Sequence, residues 1–240
     1  MPEDERPPAT DVVNLLAEGE IEIVGRMPWS SNQTFLVTCT SGEEETGAVY
    51  KPERGERHLW DFPGGIFKRE IAAYELSVAL GWNLVPQTIS RPDAPFGEGS
   101  LQQFVDADFS QHHFTLIEDE SHHDRLRMMC AFDVVANNAD RKSGHCIIDE
   151  DGTIWGIDNG LCFHREPKLR TVIWEFAGEE ISAEILEGLA ALADILPGPL
   201  ADLLAPAEIE AVRRRAQKLV KRGHFPVPDP DSHCYPWPLV

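Results

Sequence analysis

Residues 137–163 read NNADRKSGHCIIDEDGTIWGIDNGLCF, and this stretch determines how the rest of the chain is interpreted. It places two acidic loops on either side of one short β-hairpin. The predicted hairpin covers about residues 147–157, and the Asp151-Gly152 pair at its centre is typical of a tight turn. Asp140 lies in the first loop and Asp158 in the second, so the two carboxylates occupy adjacent loops.

Paired carboxylates in adjacent loops suit phosphoryl transfer. This reaction needs one carboxylate to position the attacking hydroxyl and one or two more to hold magnesium against a triphosphate. Asp140 fits the first role and Asp158 fits the second. Taken alone, however, each segment favours an ordinary structural explanation, because Asp140 can cap a turn and Asp158-Asn159-Gly160 can itself form one.

The elements predicted around this stretch belong to an α+β protein. A short capped helix begins near Thr10, after a disordered tail at residues 1–9. A connector rich in Asp, Glu and His, at 106–124, leads into a mainly helical second half. The Pro-rich tail at 225–240 is extended or disordered. The predicted strands are Ile21–Arg26, Thr34–Thr40, Gly47–Lys51, Val85–Ile89 and Ser100–Val105, and the predicted helices are Phe67–Leu80, Arg125–Ala136, Ser182–Leu196 and Pro206–Arg222.

Asp-Arg-x-x-Gly-x, a hairpin and Ile-Asp-x-Gly-x-x-Phe, in this order, resemble the phosphatidylinositol 3-/4-kinase-like family. The similarity is closest to its type II and plant gamma phosphatidylinositol 4-kinase branches, and it extends over about residues 20–180. Further similar segments are the ATP-lysine strand at 48–52, the following helix at 69–74, the adenine hinge at 99–105 and an aromatic segment at 174–175.

This resemblance implies an ATP-dependent atypical kinase, as a small bacterial-type single-domain member of the family. Its implied fold is the two-lobed protein-kinase-like fold. The β-rich N-lobe would cover about residues 10–105 and the mainly helical C-lobe about 106–224, with the nucleotide in the cleft between them.

The resemblance also assigns the residues that bind ATP. Lys51 would contact the α and β phosphates and act in catalysis, and Glu70 would orient it. Each assignment has an alternative: Lys51 can be a solvated strand end, Glu70 can be a surface carboxylate with Glu75 nearby, and the hinge can be an ordinary buried strand. The full implied set is Ser30, Ser31 and Asn32 in the phosphate loop, Lys51, Glu70, and Gln103, Phe104 and Val105 at the adenine.

The chain departs from the family pattern at His145, five residues after Asp140. The family has an asparagine there as its second metal ligand, and an imidazole suits manganese better than magnesium. Asp158 and His145 are therefore the predicted ligands of Mg²⁺ or Mn²⁺, although His145 can equally be structural. Arg141 and Lys142 either neutralise phosphate charge or are solvated loop residues.

Composition excludes several classes of partner. The 41 acidic and 21 basic residues give a net charge of -20, which disfavours nucleic acid and anionic membranes. No apolar run reaches the roughly 18 residues of a transmembrane helix, so a cytoplasmic protein is predicted. The five cysteines form no Cys-x-x-Cys pair, so neither disulfides nor a zinc site is indicated.

The phosphate acceptor is predicted to be a protein or a soluble small molecule rather than a lipid. The basic cluster at 213–222 is explained more simply as part of an amphipathic helix on the core than as a membrane surface. Three alternatives remain open: a nucleotide-binding pseudokinase, in which His145 compromises transfer, a phosphoinositide kinase, and an unrelated α+β interaction protein.

Overall fold

The structure, a computed structural model, describes residues 9–28, 30, 32–196 and 198–240. The predicted disordered stretch lies outside these residues except for Ala9, where the first helix begins. The elements in chain order are α1 (Ala9–Glu18), β1 (Glu20–Arg26), β2 (Phe35–Ser41), β3 (Glu44–Pro52), α2 (Ile66–Ala79), β4 (Thr88–Arg91), β5 (Gly99–Gln103), α3 (His113–Leu116), α4 (His123–Ala136), β6 (Cys146–Ile148), β7 (Ile154–Gly156), α5 (Ala183–Ile195) and α6 (Pro206–Arg222).

The chain divides into two compact units. The first contains the residues up to Ile71 together with Pro86–Val105, and the second contains Ala72–Val85 together with Asp106–Val240. Helix α2 supplies residues to both units.

An antiparallel five-stranded sheet forms the first unit, with the strand order β1-β2-β3-β5-β4. Val37 and Cys39 of β2 and Ala48 and Tyr50 of β3 are each 0% exposed, as a period of two requires when one face of a sheet is covered. Leu16 of α1 joins this core. The predicted antiparallel meander of the first three strands is therefore confirmed.

The fourth predicted strand, Val85–Ile89, is wrong at its start. The hydroxyl of Ser77 accepts hydrogen bonds from the amides of Leu84 (2.6 Å) and Val85 (3.3 Å), which ties these residues to the end of α2. Strand β4 consequently begins only at Thr88. Periodicity alone could not reveal this, because a bond from a serine side chain leaves no mark in the hydrophobic pattern.

Helices α4, α5 and α6 surround the main core of the second unit. Leu126 and Phe132 of α4, Leu189 of α5 and Val212 of α6 are all fully buried there. Strands β6 and β7 form the predicted hairpin, and Gly152 in its turn has a φ of 80°, a conformation that favours glycine.

Helix α6 has the predicted amphipathic character. Ile209, Val212 and Leu219 are buried in the core, while four of its six basic residues, Arg214, Lys218, Lys221 and Arg222, are exposed. The helix begins at Pro206 and ends before Gly223, whose φ of 67° is typical of a helix C-cap.

The tail after α6 forms no helix and packs on the segments around residues 143 and 171–174. The amide of Ser143 donates to the carbonyl of Leu239 (2.8 Å), and the amide of Thr171 donates to that of Cys234 (3.0 Å). The predicted connector before α4 also contains the short helix α3, which its polar composition did not predict.

All five cysteines lie among the described residues, form no disulfide and are buried, as small apolar side chains would be. No helix in the described part of the chain has the length and apolar character needed to cross a membrane.

Candidate active site

The predicted site residues fall into two sets, one in each unit. Lys51, Glu70 and residues 103–105 belong to the first unit, whereas Asp140, His145 and Asp158 belong to the second.

Helix α4 ends in a conformation that starts the loop carrying Asp140. Asn137 caps the helix with a φ of 56°, and its side-chain amide donates to the carbonyls of His164 (2.8 Å) and Glu166 (2.7 Å). The next residue, Asn138, accepts a hydrogen bond from the amide of Asp140 (3.0 Å) through its side chain. The position of Asp140 is thus set by two asparagines.

The Asp140 carboxylate is partly buried, with 26% of its side chain exposed. Burial raises its pKa, and the nearby Asp158 adds to this effect, while Lys142 and Arg170 oppose it. The ammonium of Lys142 lies 3.0 Å from Oδ2. A carboxylate with a raised pKa is a better proton acceptor than an ordinary aspartate, which suits the predicted role.

Asp158 lies next to His145 and reaches further into solvent. Its side chain is 54% exposed, that of His145 is 15% exposed, and Oδ2 lies 3.4 Å from Nε2. Asp158 has a φ of 55°, in the left-handed region that is unusual for a residue other than glycine. Strain of this kind is often found at functional sites.

The other ring nitrogen of His145 restricts what Nε2 can do. Nδ1 accepts a hydrogen bond from the backbone amide of Lys142 (3.4 Å), so a neutral imidazole carries its proton on Nε2. A protonated Nε2 can donate to Asp158 but has no lone pair for a metal. This arrangement therefore favours His145 as a partner that orients Asp158.

The remaining donors fit a weakly held divalent cation. No group of three or more His, Cys, Asp or Glu side chains suited to a metal occurs in the part of the chain that the structure describes. Magnesium commonly takes one or two protein carboxylates and completes its shell with phosphate oxygens and water. Asp158 can supply such a carboxylate.

A fully buried guanidinium connects the two loops. Nε of Arg141 lies 3.1 Å from both carboxylate oxygens of Asp133, Nη2 donates to Asn159 (2.7 Å), and Nη1 donates to the carbonyl of Ile157 (2.9 Å). Arg141 is 0% exposed. Burial opposes its charge, but Asp133, with smaller contributions from Cys146 and Cys162, more than offsets burial and raises the pKa of Arg141.

The sequence interpretation of Arg141 was therefore wrong. A residue without exposed surface is not a solvated loop residue, and its donors are bound to protein oxygens rather than available to a phosphate. Of this pair of basic residues, Lys142 remains positioned to neutralise added negative charge near Asp140.

Asp133 was not recognised from the sequence, although it is central to this network. It also accepts hydrogen bonds from Asn138 (3.1 Å) and Thr171 (3.0 Å). The signal that could have revealed it is a carboxylate within the otherwise apolar end of α4, Met128 to Ala136, because a buried charge there needs a cationic partner.

In the first unit, Lys51 forms an ion pair with Glu70. Glu70 is 2% exposed and Lys51 is 19% exposed, so the pair is largely shielded from water. The alternative partner considered from the sequence, Glu75, is not the one found in this ion pair. The phosphate-binding role of Lys51 stays a prediction.

The hinge offers fewer backbone donors than the sequence suggested. The amide of Gln103 donates to the carbonyl of Gln87 (2.8 Å), and that of Phe104 donates to Gly47 (2.9 Å). Within the described residues, the amide of Val105 has no hydrogen-bond acceptor. Of the three predicted hinge amides, that of Val105 is the one left available to a ligand, and adenine binding by the hinge stays a prediction.

The proposed phosphate loop is engaged internally where it is described. Ser30 and Thr34 hydroxyls lie 2.7 Å apart, and the side chain of Asn32 accepts from the amide of Arg57 (2.9 Å). Ser31 lies outside the described residues. Phosphate binding by this loop stays a prediction.

Comparison with known proteins shows one similar curated protein and a kinase-like fold. Protein Rv2133c of Mycobacterium tuberculosis is 46% identical, and the alignment covers 93% of this chain and 94% of that protein. No protein-family model matches the chain.

Several solved kinases have a similar structure. The Golgi casein kinase is 15% identical with a TM-score of 0.57, covering 92% of this chain and 78% of that one. A second structure of the Golgi casein kinase, with Mn and ADP bound, has a TM-score of 0.54 at 16% identity. The match covers 93% of this chain and 80% of that one. The Helicobacter pylori proinflammatory kinase CtkA has a TM-score of 0.50 at 12% identity, covering 88% and 94%. The predicted kinase-like α+β fold is confirmed.

Proposed function

The chain belongs to the family of Protein Rv2133c of Mycobacterium tuberculosis, and we propose that it is an ATP-dependent phosphotransferase acting on a hydroxyl group. The observation that carries the proposal is the buried Arg141, which fixes the loops bearing Asp140 and Asp158 in one network. A buried charge network of this kind costs desolvation energy. A requirement to hold the carboxylates of Asp140 and Asp158 in fixed positions would account for that cost.

Asp140 is assigned the role of positioning the acceptor. The hydroxyl oxygen forms a bond to the γ-phosphorus, the bond to the bridging oxygen breaks, ADP leaves, and the hydroxyl proton ends on Asp140. The raised pKa of Asp140 favours this transfer of the proton. Lys142, 3.0 Å away, would limit the repulsion between Asp140 and incoming phosphate oxygens.

The nucleotide is assigned to three residues. Lys51, oriented by Glu70, would bind the α and β phosphates, and the amide of Val105 would donate to the adenine. Asp158 would hold a divalent cation, which would neutralise charge on the phosphates. Mn and ADP in the Golgi casein kinase structure support a nucleotide with a divalent metal as cofactors.

We expect Glu70→Gln to weaken ATP binding by about tenfold, because Lys51 loses the charged partner that orients it. Glu75→Gln is the matched control: it makes the same change on the same helix, and Glu75 is not the partner of Lys51. ATP affinity would be measured by calorimetry, with thermal melting to confirm folding. Equal losses in the two variants would contradict the assigned role of Glu70.

We expect His145→Asn to change ATP affinity by the same factor with Mg²⁺ and with Mn²⁺. The reason is that the proton placed on Nε2 by the Lys142 amide leaves no lone pair for either cation. Affinities would be measured with each metal over a pH series. A gain in ATP affinity of His145→Asn with Mg²⁺ alone would instead identify His145 as a metal ligand. Loss of Mn²⁺-dependent ATP binding by the wild-type protein in acid would do the same, because a proton and a metal compete for one lone pair.

The activity itself is tested with purified protein, labelled ATP and Mg²⁺ or Mn²⁺ in parallel. Transfer is followed to the protein itself, to candidate proteins, to soluble hydroxyl compounds and to phosphatidylinositol vesicles. ATP binding without transfer to any acceptor would favour the pseudokinase, a second candidate supported by the presence of histidine at position 145. Absence of nucleotide binding would refute both.

The narrower features of the proposal rest on the sequence. The motifs around Asp140 and Asp158 support a place in the phosphatidylinositol 3-/4-kinase-like family. The net charge of -20 supports a protein or soluble small-molecule acceptor over a lipid, and a cytoplasmic location is part of the same proposal.

A further inference from the structure

The second unit contains a cavity whose lining includes none of Asp140, His145 and Asp158. Its volume is about 730 Å³, within the range of sites that bind small molecules. One wall is helix α6, and the others are the end of α4, residues 165–169 and Pro226.

The charge of this cavity is opposite to that of the whole chain. Six of its lining residues are basic and one is acidic, in a protein of net charge -20. The six are Arg165, Arg214, Arg215, Lys218, Lys221 and Arg222. The acidic residue, Glu166, lies 3.5 Å from Arg165 and is accounted for by it.

The basic residues on α6 form a stripe without carboxylate partners. Lys218 follows Arg214 by four residues, and Lys221 and Arg222 follow Lys218 by three and four, so the four share one side of the helix. No ion pair to these four residues occurs within the described part of the chain. Arg213, on the same helix but outside the cavity, does pair with Glu210 at 2.8 Å.

Arg215, which also lines the cavity, is held by neutral groups. Its Nε donates to the carbonyl of Val135 (2.7 Å) and its Nη1 to that of His164 (3.3 Å), while the buried Nη2 has no acceptor among the described residues. Burial lowers the pKa of Arg215 to about 10, and Arg214 adds to the effect. An anion nearby would relieve both the burial cost and the repulsion.

The remaining lining is largely apolar. Val134, Pro167, Leu169, Leu219 and Pro226 contribute it. Bare phosphate would leave this surface unused, whereas a ligand with an apolar body would cover it and gain hydrophobic burial.

We propose that this cavity binds a small molecule in which a diphosphate or similar phosphate group is attached to an apolar body. The phosphate group contacts Arg214, Arg215 and Lys218, and the apolar body lies against Leu169, Leu219 and Pro226. The inference does not depend on the proposed kinase activity, because none of its residues is assigned to ATP or to the acceptor.

The test uses geranyl diphosphate as the probe, with inorganic pyrophosphate and geraniol as its two halves. Binding to the full chain is measured by calorimetry at two salt concentrations, in EDTA to suppress metal-dependent binding elsewhere. We expect geranyl diphosphate to bind more tightly than either half and more weakly at high salt. Pyrophosphate binding as tightly as geranyl diphosphate would overturn the proposal.

The variants separate this cavity from other anion sites. Arg214→Gln with Lys218→Gln is expected to weaken geranyl diphosphate binding by about tenfold, through loss of charge-assisted hydrogen bonds. These side chains are exposed, so the variant should fold. Arg213→Gln, the same change outside the cavity, should bind normally. Equal binding of geranyl diphosphate by the wild type, the double variant and Arg213→Gln would overturn the proposal. Binding to phosphatidylglycerol vesicles without binding to geranyl diphosphate would also overturn it.

Discussion

Asp140→Asn is expected to lower the rate of phosphoryl transfer by a factor of about 10² to 10⁴, while ATP affinity stays near the wild-type value. The amide keeps the shape of the carboxylate but cannot accept the hydroxyl proton. Labelled-phosphate transfer and calorimetric ATP binding would be measured on the same preparation. Retention of transfer by this variant would exclude Asp140 as the proton acceptor.

Asp158→Asn is the matched comparison, because it makes the same chemical change in the adjacent loop. A metal ligand contributes to the bound ground state, so this variant should lose metal-dependent ATP affinity. If both variants lost only stability, neither role would be supported. Wild-type transfer should also decline as pH falls, beginning above the pH at which an exposed aspartate titrates, because burial raises the pKa of Asp140.

The second large effect is expected at Arg141. Arg141→Met should lower the free energy of unfolding by about 3 to 5 kcal/mol, because it leaves the carboxylate of Asp133 buried without its cationic partner. Urea unfolding of the wild type and the variant would measure this difference in the free energy of unfolding. Lys142→Met, the same change at the next residue, should cost about 1 kcal/mol or less because its ion pair is partly exposed.

Adding Asp133→Asn to Arg141→Met provides the decisive control. The double variant removes both charges, so it should be more stable than the sum of the single variants predicts. If the double variant lost as much unfolding free energy as Asp133→Asn and Arg141→Met lose together, Asp133 and Arg141 would not act as a pair.

Local patterns predicted most of the fold. Alternating apolar residues identified β2 and β3, and Pro206 with Gly223 marked both ends of α6. The errors came from contacts between residues distant in sequence or from side-chain hydrogen bonds. Ser77 binding the Leu84 amide displaced a strand start, and no periodicity records such a bond.

The candidate site was predicted to a similar extent. Asp140, Asp158 and the Lys51–Glu70 pair could be identified from motifs, and the structure shows the partners of each. The contacts of Asp133 and Arg141 could not, and neither could the engagement of the Gln103 and Phe104 amides, because they depend on burial and on which amides already have acceptors. A sequence shows residue types but not which donors remain available.

The shared guanidinium also has a consequence for how this family varies. Because Arg141 binds Asp133 and Asn159 at once, replacing Arg141 removes a hydrogen-bond partner from both of them, and replacing either of them removes one from Arg141. Related chains are therefore expected to keep or replace these three positions together. A homologue that has lost these three residues but retains Asp140 and Asp158 would be a candidate for a relative that keeps the fold without the proposed activity.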